Sequence, residues 1–263
     1  MSISASIWKA TTEPQVHPMS QDSQHQALIR AKSYPYTIPS RSYIIADGTH
    51  RELSIDGVLP VVSGRRPVLA VGSNQSPEQL LRKFNEPDCG PIPVILARLC
   101  NFDVVYSPHV ATYGAIPATL AYCPGTVMTL FINWLTPEEE SRMHETEVPS
   151  GNYHFGRLDG IELQLDRGRK LASAFVYCSR RGVLERDGCP IALSEIKAEG
   201  RCWPSLSQEK VQRYVRDCTD PGRKIDDFIG DAIADAQVRL ARTEAMMSTS
   251  RPFDYPGFTP ISL

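Results

Sequence analysis

One junction limits the fold of this chain more than any other feature: a short apolar run breaks at a glycine and turns at once into a helix start. Pro67-Val68-Leu69-Ala70-Val71 is continuously apolar, as expected of a strand covered on both faces. It stops at Gly72-Ser73-Asn74. Ser76-Pro77-Glu78-Gln79 comes next, with an N-cap residue, a proline suited to the first helical position and a glutamine that completes a capping box. The apolar Leu80, Leu81 and Phe84 then continue the helix. The unit reads strand, glycine loop, helix.

Beyond this unit, strands and helices do not alternate regularly. Val94–Leu99 and Phe102–Tyr106 read as two strands, and Ala118–Tyr122 as a third that precedes a Pro124-Gly125 turn. Thr126–Trp134 is β-branched and aromatic enough for a central strand. Thr136-Pro137-Glu138-Glu139 repeats the helix-start pattern, with acids at the positive end of the dipole. This helix is expected to run through Met143 toward Glu147 and to end at Pro149-Ser150-Gly151-Asn152. Residues 153–165 and 171–178 read as two further strands around an Asp166-Arg167-Gly168 turn. The fold class is therefore α+β, or a mixed barrel, rather than a doubly wound sheet.

The flanks differ in character. Residues 1–40 are rich in Ser, Gln, Thr and Pro without a period and read as a disordered or irregular arm. Residues 41–65 read as a hairpin extension, with Ser42–Ala46 turning at Asp47-Gly48 and Leu53-Ser54-Ile55 pairing back. The main domain spans 66–205. Residues 206–263 form a helical extension and a tail. Val211, Tyr214, Val215 and Cys218 make one apolar stripe, and Ile225, Phe228, Ile229, Ala232, Ile233 and Ala236 make a second. The Pro-containing tail from Ser248 reads as irregular.

Composition excludes several classes. The 263 residues carry a net charge of -2, with no Lys/Arg-rich stripe, which argues against nucleic acid as the main ligand. No apolar run reaches the ~18 residues of a membrane span. The N-terminal stretch has neither a basic nor an apolar region of the secretory kind. The 7 cysteines are odd in number and none has C-x-x-C spacing, so reduced thiols and a cytoplasmic setting are expected. Whether the chain forms a homodimer stays open.

Several of these segments, taken in order, resemble γ-glutamylcyclotransferases. Val68–Asn74 is similar to that family's strand-loop motif, which usually ends Tyr-Gly-Ser-Asn. Gly114–Leu120 looks like its later glycine-rich strand start, and Gly125–Trp134 like its next core strand. Met143-His144-Glu145-Thr146-Glu147, followed by Tyr153, resembles the helix end Leu-Asp-x-x-Glu and its subsequent tyrosine. The resemblance covers roughly residues 67–215. It implies a γ-glutamylcyclotransferase-like mixed β-barrel flanked by helices. It implies a catalytic Glu147 and a substrate pocket at Val71, Gly72, Ser73, Asn74 and Tyr153, with no metal and no cofactor. Three departures stand out: Val71 replaces the motif tyrosine, Met143-His144 replaces Leu-Asp, and no later tyrosine is found near Pro190-Ile191-Ala192.

The chemistry implied is an intramolecular aminolysis. The α-amine of a γ-glutamyl group attacks its own γ-carbonyl, giving 5-oxoproline and a free amine. Both reacting groups lie in one small-molecule substrate, so the protein has mainly to fold that substrate into a ring-like pose. One carboxylate, its pKa raised by burial, could take the proton from the amine and return it to the leaving nitrogen. The glycine loop, opening into a helix N-terminus, would receive an anion on its free N–H groups. Two other readings compete. His144, Glu145, Glu147 and His154 form a local set of metal-ligand types, but without H-E-x-x-H spacing. A non-catalytic binding or assembly module on the same fold is the other.

Overall fold

A computed structural model describes residues 20–54, 60, 62–84, 90–147 and 151–263. Seven strands form its centre: β1 (Tyr43–Ala46), β2 (Thr49–Glu52), β3 (Arg66–Ala70), β4 (Ile92–Tyr106), β5 (Ala118–Leu135), β6 (Tyr153–Leu165) and β7 (Lys170–Ser179). The ring β5–β3–β7–β6–β4 closes on itself through a β4–β5 pairing, which makes a mixed five-stranded barrel. The β3–β7 contact is parallel, with Val68 opposite Phe175, and every other pairing in the ring is antiparallel. The β1–β2 hairpin extends this sheet alongside β4.

Alternation along the strands divides the core. Leu69 and Val71 join Ile95, Leu130 and Val176 in one cluster. Val68 and Ala70 point the other way, onto α2 (Pro77–Lys83) and α3 (Pro137–Glu147), where Leu80, Phe84 and Met143 complete a second cluster. The two helices thus dock on one patch of the barrel wall. This brings their C-terminal ends together.

The two helix starts behave differently. At α3 the capping box forms: Glu139 N–H donates to Thr136 Oγ1 at 3.2 Å and Thr136 N–H to Glu139 Oε2 at 2.9 Å. At α2 it does not. Residues Ser73–Gln75 make a 3-10 turn, and the Ser76 carbonyl accepts the Gln79 N–H at 3.2 Å. The Ser76 hydroxyl is left without a donor, and Gln79 Oε1 is also unpartnered. The expected capping box at 76–79 is therefore absent because the main chain already uses its N–H.

Two expected strand pairs fuse into single long strands. Asn101, at φ 64°, absorbs a bulge in β4, and its Oδ1 accepts the Gly125 N–H at 3.0 Å. The Pro124-Gly125 stretch is therefore an irregularity within β5 instead of a hairpin turn.

The flanks are more ordered than their composition implies. Within the expected irregular arm, α1 (Gln21–Lys32) is capped by Ser20, and Ala31 and Tyr34 just beyond are buried. The C-terminal region holds α4 (Gln208–Thr219), α5 (Ile225–Ala234) and a further helix, α6 (Ala236–Met247). Asp235 leaves helical geometry and accepts the Gln237 N–H at 2.7 Å, so it starts α6 where a single stripe was expected to end. The tail is not irregular either. Phe258–Pro260 pairs with residues 156–158 of β6, and Ser250-Arg251 pairs with Val183-Leu184. Gly156 permits the first of these pairings, because a Cβ there would stand 2.4 Å from the Phe258 ring.

Six cysteines are described and all are free thiols; Cys89 lies outside the described residues. Among the described residues, no helix is long and apolar enough to cross a membrane.

Candidate active site

The glycine loop leaves the end of β3, and α3 delivers Glu147 beside it. Asn74 Nδ2 donates to Glu147 Oε1 at 3.0 Å. The loop itself is held by Asn133 of β5, whose Nδ2 donates to the Asn74 carbonyl at 3.3 Å. Asn74 and Glu147 both line a cavity of about 580 Å3. Val71, Ser73 and Tyr153 line it as well, so five of the six residues expected from sequence converge there. Gly72 is the exception. A Cβ on it would lie 2.0 Å from the Tyr34 hydroxyl, and Tyr34 forms the wall in its place. Glycine is required at position 72 to let that phenol in.

The charge at Glu147 departs from expectation. Its side chain is 17% exposed and forms an ion pair with Lys83, itself 6% exposed. Burial, the largest single influence, pushes the carboxyl's pKa up, but the Lys83 ammonium and the Asn74 amide together outweigh it. The net position is below the ordinary glutamate value. Burial therefore does not leave this acid near neutrality, because a cation was buried with it.

The anion cradle expected at the loop is also filled. The Tyr34 oxygen accepts the Ala118 N–H at 2.8 Å. Tyr153 donates to the Ala118 carbonyl at 3.1 Å. Burial raises the Tyr34 and Tyr153 pKa values, so both phenols stay protonated. His109 meets the Tyr153 ring edge-on at 5.6 Å between centroids. Burial, aided by Arg181, lowers its pKa to about 3, so its imidazole is neutral.

The altered pair has structural duties. Met143 fills the cluster beneath α3, and His144 Nδ1 lies 2.7 Å from the Tyr177 hydroxyl. Glu145 pairs with Arg142 at 2.9 Å. No group of three or more His, Cys, Asp or Glu suited to a metal ion occurs among the described residues.

Tyr34 and Lys83 escape sequence reasoning for different reasons. Tyr34 comes after a helix hidden in a Ser- and Gln-rich arm and has no motif around it. Lys83 did leave a signal: it lies three residues after Leu80, on the apolar face of α2, where a lysine implies a buried anion.

No protein-family model matches the chain, and no curated protein sequence matches it significantly. Among solved structures, one described as a γ-glutamyl cyclotransferase is similar at 14% identity and TM-score 0.36, over 73% of this chain and 92% of its own. An uncharacterized protein from Homo sapiens is similar at 16% identity and TM-score 0.36, over 74% of this chain and 93% of its own. A solution structure of an Arabidopsis thaliana protein matches at 14% identity and TM-score 0.34, over 49% of this chain and 74% of its own. The likeness to γ-glutamylcyclotransferase-like structures is distant and partial, a broad similarity of fold that assigns no residue of the cavity a role.

Proposed function

We propose that the cavity cyclises a γ-glutamyl group to 5-oxoproline and releases an amine. One observation carries this reading: a mostly buried, ionised carboxylate, Glu147, is fixed against Asn74 of the glycine loop inside a cavity of small-molecule size. Glu147 is the catalytic acid-base. Val71 and Tyr153 give the substrate's carbon chain an apolar and an aromatic wall, while Ser73 and Asn74 shape the end that meets the reacting atoms and Gly72 serves by admitting the Tyr34 phenol to the wall.

The steps balance without water or cofactor. The substrate's α-ammonium replaces Lys83 beside Glu147 and gives it a proton. The freed amine attacks the γ-carbonyl carbon, and the new C–N bond makes a tetrahedral oxyanion. Its collapse breaks the original C–N bond as the leaving nitrogen takes the proton back from Glu147, and Glu147 then removes the second proton from the new ring nitrogen and passes it to the released amine, which departs as its ammonium. The first transfer turns an ion pair into two neutral groups, which a buried site favours. Incubation with a set of γ-glutamyl amino acids, peptides and amines should yield 5-oxoproline from at least one, read by mass. Its absence across the set would leave the second reading, a binding module, which the Lys83–Glu147 pair favours by holding the carboxylate in its charged state.

Lys83 gives a sharper test through pH. In the wild type the folded Glu147 titrates below the ordinary 4.5. Its ionisation thus adds stability that is complete above that value and is lost as pH falls through the folded one. Lys83→Met removes the cation that offsets burial, the largest influence, and drives the carboxyl upward. The sign then reverses: the variant loses stability as pH rises through the raised value. The acid limb of kcat/KM should move to higher pH in step with the melting profile. An unmoved limb would separate Lys83 from the catalytic group.

A further inference from the structure

The proposed cyclisation places negative charge on the γ-carbonyl oxygen, and the obvious donors for it are already engaged. Ala118 directs its backbone N–H at the Tyr34 oxygen. The Tyr153 hydroxyl donates to the Ala118 carbonyl, and the Tyr177 hydroxyl contacts His144. The Tyr113 side chain also lines the cavity, but no hydrogen bond among the described residues fixes its hydroxyl.

Tyr34 is different. It is 3% exposed, lines the cavity, and its oxygen is held by the Ala118 N–H. Among the described residues no acceptor takes its own proton. An N–H group donating to a hydroxyl oxygen also polarises the O–H bond and makes it a better donor. Glu147 lies near enough for its charge to act on this phenol. Gly72 has no side chain to hold the ring away.

Resting on the cyclisation reading, we propose that Tyr34 is a catalytic residue whose hydroxyl donates a hydrogen bond to the γ-carbonyl oxygen as charge develops there. The Ala118 N–H acts through it as a relay rather than meeting the substrate. The hydroxyl that Val71 cannot supply at the loop is then brought by the segment after α1.

The test is Tyr34→Phe assayed with whichever γ-glutamyl compound the wild type cyclises. A lost oxyanion donor should lower kcat by roughly 10²–10³-fold with KM nearly unchanged. Because the variant leaves the Ala118 N–H without its acceptor, its melting temperature is measured alongside. A second protein, with 3-fluorotyrosine at position 34, keeps the Ala118 contact and the fold while making the phenol a stronger donor. Its kcat should rise, a shift that a purely structural role would not produce. Undiminished kcat in Tyr34→Phe, or an unchanged kcat in the fluorinated protein, overturns the proposal. So does higher turnover in Tyr34→Phe, which would mark the phenol as a plug on the cradle. If the wild type itself cyclises nothing in the set, the cyclisation reading falls and takes this role with it; active wild type with a fully active Tyr34→Phe removes the role alone.

Discussion

The Glu147→Gln protein is expected to form 5-oxoproline about 10²–10⁴-fold more slowly than the wild type, the usual worth of a positioned acid-base. The amide keeps the shape of the side chain and can still accept from Asn74 and Lys83. It cannot take a proton from an ammonium. The substitution has a second effect, on stability. Lys83 is 6% exposed, and its carboxylate partner disappears. Removing one member of a buried pair typically costs about 3–5 kcal/mol, because the remaining charge is stranded. Stability loss and turnover loss could therefore be confused in the single variant. The double variant Lys83→Met/Glu147→Gln separates them, since it strands no charge. Its unfolding free energy should recover most of the loss while turnover stays low. Recovery of turnover together with stability would assign Glu147 a structural role only.

A comparable loss of stability is expected at a site far from the chemistry. Asp103, in β4, is fully buried, and Arg201 grips it with two bonds, Nε to Oδ2 at 2.8 Å and Nη2 to Oδ1 at 2.9 Å. The same Nη2 also donates to the Ile196 carbonyl at 2.9 Å. This fork ties the segment around residues 196–201 to the barrel. Arg201→Met keeps the length of the side chain but leaves a carboxylate in the core with only the Val104 N–H, 2.8 Å away. The expected destabilisation is about 3–5 kcal/mol, seen as a lower urea midpoint at an unchanged slope. Pairing it with Asp103→Leu should restore part of the loss. If Arg201→Met unfolds at the wild-type midpoint, the fork contributes nothing to the net stability.

The parts of this molecule that were legible in the sequence are those whose signals are local. Thr136 and Glu139 specify the start of α3 by themselves, and the helix reaches Glu147 as its length predicts. The apolar run from Pro67 to Val71 likewise needs no distant partner to be read as a strand. The features that stayed hidden depend on contacts made across the chain. Gln21–Lys32 looks like loose arm because its helix buries little beyond Ala31; Gln212 of α4 reaches the Ala31 carbonyl at 3.3 Å. Phe258 carries no strand pattern, and only the bare backbone of Gly156 gives it a place. At the site, the carboxylate was visible as a helix-end glutamate, while its charge state was not. That state depends on Lys83, 64 residues away in the chain.

The barrel's single parallel seam has a kinetic consequence. Val68 and Phe175 are distant in sequence, so the ring can close only after the later hairpin has been made. Refolding should accordingly show an early phase of local hairpin formation and a slower one that seals the ring. During synthesis on the ribosome, the glycine loop and the acid opposite it emerge before β7, and α6, whose Arg239 and Thr243 line the same cavity, emerges later still, so the cavity is complete only once that helix has been made.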